Sequence, residues 1–83
     1  MSPAVERRGG AIYVNGIPAG TTLAGLRRRG LHELRAARMR MADARAARDY
    51  GRPEDVRRHV HFARLLHRSG RRNLEVAALA AAL

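Results

Sequence analysis

Arg57, His61, Arg64 and Arg68 follow one another at steps of four, three and four residues. On a helix that spacing sets all four along one face. Guanidinium groups aligned in this way can meet several phosphates or carboxylates, each through a planar pair of donors that lysine lacks. No carboxylate interrupts the strip, and Val56, Val60, Phe62, Ala63 and Leu66 form a broad apolar arc on the other side of the same helix. Arg71 and Arg72 extend the basic run past its end. A second set, Arg27, Arg28, Arg35, Arg38 and Arg45, falls to one side of the preceding segment. Glu33 and Asp43 sit nearer Arg29 and Arg40, at spacings that allow local ion pairs.

Other chemistry finds less support. His59 and His61 point to opposite sides of a helix, and His59 and His67 are two turns apart, too far to share one ion. Asp55 and His59 are one turn apart, but a carboxylate at a helix start beside a half-buried imidazole is the commoner reason for that pair. His32 has no evident partner. There is no Ser, His and Asp arrangement at a recognisable turn, no glycine-rich phosphate loop with lysine, and no pair of acids set apart from arginine. We therefore expect no enzyme, no metal and no cofactor. Tyr13, Tyr50 and Phe62 are scattered, which argues against a single-strand binder built on stacked bases.

The elements that must position these arginines are mostly helical. Thr22 to Tyr50 reads as one long helix, because Leu23, Leu26, Gly30, Leu34, Ala37, Met41, Ala44 and the stem of Arg48 recur at steps of three and four. Thr21 or Thr22 caps its start and Gly51 ends it in the left-handed region. Gly30 lies on the stripe, where a missing side chain permits close helix approach. A second helix begins at Pro53, with Glu54 and Asp55 in its first turn, and is expected to stop at Ser69-Gly70. The short link between the two helices makes an antiparallel hairpin the default. Asn73 would then cap a third helix, over 73–83. The stretch Arg64 to Val76 also resembles a helix-turn-helix, with Gly70 in the turn. Leu66 stands where that motif has a small residue, and the would-be reading helix is alanine and leucine with few base-contacting side chains.

Before the helices, residues 11–20 read as a hairpin. Ala11 to Val14 is strand-forming, Asn15-Gly16 suits a two-residue turn, and Pro18 keeps the return strand short or at an edge. Residues 1–10 read as a flexible arm. The expected fold is thus mainly α: a short N-terminal β-hairpin, a long helix, an antiparallel second helix and a short C-terminal helix, in one small domain over 1–83.

The totals bound the rest. Eighty-three residues, with one Phe, two Tyr and no Trp, make a core of marginal size, so we expect self-association as a homodimer. All seventeen basic residues are arginine, against seven acids, and the net charge of +10 suits a polyanionic partner. No cysteine is present, so disulfides and thiolate metal sites are excluded. No stretch has the length of a membrane span and no secretory signal is visible, which points to the cytoplasm and away from a membrane. Two functions remain in competition. One is a small DNA- or RNA-binding regulator that contacts phosphates through arginine faces. The other is an inhibitor or adaptor that grips acidic patches of a larger complex.

Overall fold

The computed structural model of the chain describes residues 3–20 and 22–83. Its element order is β1 (Val5–Arg8), β2 (Ala11–Val14), β3 (Ile17–Gly20), α1 (Leu23–Asp49) and α2 (Pro53–Ala81). The fold is mainly α, a small antiparallel sheet followed by two long antiparallel helices.

The sheet is a meander in the order β1-β2-β3. Arg8 pairs with Ala11 across Gly9-Gly10, and Val14 pairs with Ile17 across Asn15-Gly16. All four turn residues have positive φ, between 52° and 81°. Two such residues in succession give the turn whose twist matches the flanking strands. The expected hairpin is therefore present, with Pro18 on an edge strand, but the expected arm is corrected in part. Val5–Arg8 forms a third strand because Gly9-Gly10 is itself a hairpin turn. Met1 and Ser2 lie outside the described residues. Asn15 ties β1 to this turn, accepting from the Ala4 amide at 3.1 Å through its side chain.

The Thr22 hydroxyl accepts from the Gly25 amide at 2.9 Å and caps α1, while Thr21 lies outside the described residues. The helix runs through Gly30 without a break, and Gly51 follows it at φ 69°. Pro53 opens α2, with Glu54 and Asp55 in the first turn.

The second and third helices expected from the sequence are one helix. Ser69-Gly70 is interior to it, and the helix-turn-helix reading falls with the turn. Gly70 is retained for contact rather than termination. A Cβ built on it would lie 2.8 Å from the Gly30 carbonyl oxygen, and one on Gly30 would lie 2.9 Å from the Gly70 carbonyl oxygen. The two backbones touch at this crossing. Close packing there outweighs the roughly 1 kcal/mol that a mid-helix glycine costs relative to alanine. Asn73, read as a cap, instead donates its side-chain amide to the Glu33 carboxylate across the helix pair.

Gly30, Ala37 and Ala44 are buried at seven-residue intervals on α1, and Ala63, Gly70 and Ala77 at the same interval on α2. Seven residues bring a helix back to nearly the same face after two turns. With Gly30 against Gly70, the antiparallel register brings Ala37 level with Ala63. This seam lies to one side of the expected stripe. Leu26, Gly30, Ala37 and Ala44 are buried as expected, whereas Leu34 is half-buried, Met41 and Arg48 are exposed, and Ala47 is buried instead. Backbones this close leave no room between them for Leu or Met, so the seam rotates onto small residues and the larger ones flank it.

The larger apolar core sits at the sheet end. Ile12, Leu26, Val76, Ala77 and Ala80 are buried together, with Val5, Val14, Ala19 and Leu23 against them. The sheet thus packs on the helices of its own chain, β1 against α2 and β3 against α1. The result is a rod of 51 × 22 × 16 Å.

Candidate polyanion-binding groove

Where two helices meet through small residues, the larger residues beside the seam stand up as walls. On one side of the α1–α2 pair they enclose an open groove of about 980 Å³. Its floor is Leu34, Ala37 and Met41 from α1 with Val60 and Ala63 from α2. Its walls are Arg38 and Arg45 from α1, facing Arg64, His67, Arg68 and Arg71 from α2. No lining residue is acidic. Guanidinium groups confined in this way focus a positive potential on the groove, and an entering anion relieves their mutual repulsion.

Of the arginines singled out by spacing, Arg38, Arg45, Arg64, Arg68 and Arg71 converge on this groove. The others do not. Arg57 binds the Glu54 carboxylate one turn back, so the basic strip has an acid at its start after all. His61 stands outside the groove, its ring edge-on to Phe62 at 5.6 Å. Arg72 and Arg27 are exposed and do not line it. Arg28 and Arg35, with Arg29, Leu31 and His32, surround a separate shallow depression on the outer surface of α1. Sequence reasoning missed His67 and the apolar floor. The seven-residue recurrence of Gly and Ala on both helices is the signal that would have located them, because it fixes which side chains flank the contact.

The opposite side of the helix pair is chemically matched. Glu33 accepts from Asn73, and Arg40 reaches the His59 ring nitrogen Nδ1 at 3.2 Å while its guanidinium lies 5.0 Å from the Phe62 ring centre. These contacts replace the ion pairs expected for Glu33 and Arg40 with their α1 neighbours. Asp55 turns to Arg52 at 3.9 Å and Arg58 at 3.8 Å, not to His59. Such exposed pairs contribute little to stability. The polar groups of this side thus find partners within the chain, whereas the groove lining on the other side carries no acid. Among the described residues no group of three or more His, Asp or Glu could hold a metal ion, and no helix is long and apolar enough to cross a membrane.

No protein-family model matches the chain, and no curated protein or solved structure does so either. The geometry of the groove is therefore the ground for a functional reading.

Proposed function

We propose that this chain is a non-catalytic binding protein that holds an acidic partner protein in the groove between α1 and α2, as an inhibitor or adaptor would. The observation that carries the reading is the pairing of arginine walls free of acid with an apolar floor of Leu34, Met41 and Val60. Phosphates alone would satisfy the walls and leave the floor against water. A partner bearing both carboxylates and aliphatic side chains satisfies the two together, and burying the floor adds about 25 cal/mol for each Å² removed from water.

A second reading, contact with DNA or RNA through phosphates, is favoured by a different observation. Arg27, Arg28, Arg29, Arg35 and Arg72 are exposed outside the groove, and the chain as a whole carries +10. That reading requires steep salt dependence and little preference for sequence.

Titrations with labelled, unrelated duplex DNA and RNA at several salt concentrations separate the two. They compare the native chain with the groove variant R38E/R64E/R68E and the outer-surface variant R28E/R29E/R35E. If the groove serves a protein, the two variants lose nucleic-acid affinity alike, because they remove equal charge, and only the groove variant stops retaining acidic peptides from a library. A groove variant that alone abolishes nucleic-acid binding would transfer the site to phosphate. Cytoplasmic residence is part of the proposal and is read from a fluorescent fusion. Self-association, which the small core favours, belongs outside the groove, since two such grooves face to face would oppose like charges. Light scattering tests it.

A further inference from the structure

Building on the acidic-partner reading, we infer that the occupant of the groove is a single amphipathic α-helix, with aliphatic residues along one stripe and glutamate or aspartate on both flanks of it. It would lie along the seam and complete a three-helix bundle.

Two helices form the groove, one on each side. Its lining runs from Leu34 to Arg45 on α1 and from Val60 to Arg71 on α2. Eleven residue steps on each helix correspond to about 16 Å, or three turns. A third helix packed on a helix pair presents a narrow apolar stripe to the line between them and its flanks to the residues outside that line. Here the line is Leu34, Met41 and Val60, and the residues outside it are Arg38 and Arg45 on one flank and Arg64, Arg68 and Arg71 on the other. Both flanks of the occupant therefore meet guanidinium groups, which dictates acid on both. Met41 is 39% exposed, and its unbranched thioether adapts to whatever aliphatic residue is laid on it.

Charge complementarity excludes a second copy as the occupant. Its groove side would bring five more arginines, and its other helix surfaces carry Arg28, Arg29 and Arg35 or the matched Arg40 side. No segment of this chain combines an apolar stripe with two acidic flanks, because its seven acids are dispersed over the sequence.

The test uses the full chain and labelled synthetic peptides of about four turns. The first has leucines at steps of three and four with glutamates on both flanks. The second has the same glutamates with serine for leucine, the third has glutamine for glutamate, and the fourth probe is poly-glutamate. We expect the first peptide to bind and to gain helicity on binding. Its affinity should fall at least about tenfold with M41D and with R64E/R68E, and stay unchanged with L65D on another surface of α2. The second and third peptides should bind at least about tenfold more weakly than the first. Thermal melts of each variant check that it folds, and Met41, Arg64, Arg68 and Leu65 are all exposed. If poly-glutamate or the serine peptide binds as tightly as the first, or if the bound peptide stays extended, the helix is overturned while the acidic-partner reading survives. If no acidic probe binds, both fall.

Discussion

Gly70 and Gly30 each occupy a point where one added carbon meets the opposite backbone. At Gly70 that carbon would lie 2.8 Å from a carbonyl oxygen and 3.0 Å from Leu34 Cγ, and neither neighbour is the free end of a flexible side chain. Overpacking of this kind costs about 1–3 kcal/mol. Alanine returns about 1 kcal/mol through helix propensity, so the balance at this site decides against it when the helices cannot part. We expect Gly70→Ala to lower the unfolding midpoint in denaturant, and Ser69→Ala, on the exposed neighbour, to change the unfolding free energy by no more than about 0.5 kcal/mol. A Gly70→Ala protein as stable as the native one would mean that the backbones do not touch. The same close approach sets the height of the groove floor, so parting the helices here would also disturb peptide binding.

The elements divide into a firm end and a thin one. At the sheet end Ile12, Leu26 and Val76 are buried, while toward the Gly51 link the buried seam residues are Ala37, Ala44, Ala47 and Ala63. Alanine removes little hydrocarbon from water, so local opening should be easiest at the link. Hydrogen exchange should therefore be faster for the amides of Ala42–Asp49 and Val56–Val60 than for Leu26–Gly30 and Val76–Ala80. Uniform protection along both helices would refute this division.

Much of this arrangement is legible in the sequence, where local chemistry and tertiary packing agree. Asn15-Gly16, Thr22, Gly51 and Pro53 all act as their residue types dictate, and Gly30 sits at a close helix approach. What was not legible lies where packing overrules local signals. Gly70 carries the mark of a helix end and is instead a contact. Gly9-Gly10 carries the mark of a flexible arm as well as that of a turn, and the pairing of Val5 with Val14 decides between them. The groove was half legible. Spacing identified basic faces on both helices, but which arginines share a surface depends on the rotation of the seam, and periodicity put Leu34 and Met41 on that seam beside Ala37 and Ala44, whereas the structure leaves the two larger residues flanking it.

At the scale of the whole molecule, +10 on a rod 16 Å thick in its narrowest direction is a standing repulsion. Raising the ionic strength from about 0.01 M to 0.15 M shortens the screening length from about 30 Å to 8 Å and relieves it. Folding stability should rise by about 1 kcal/mol, a gain of roughly 4–8 °C in melting temperature for a chain of this size. Over the same range peptide binding in the groove should weaken. A melting temperature that falls as salt is added would show that the surface charges are mutually compensated.

The glycine and alanine seam also has a calorimetric consequence. Heat capacity on unfolding grows with the hydrocarbon exposed and shrinks with the polar surface exposed. Helices joined backbone to backbone expose peptide groups in greater proportion than large side chains when they separate. The heat-capacity increment of this chain should then fall below the roughly 12–15 cal/mol/K per residue of ordinary domains, and its stability should change with temperature along an unusually flat curve.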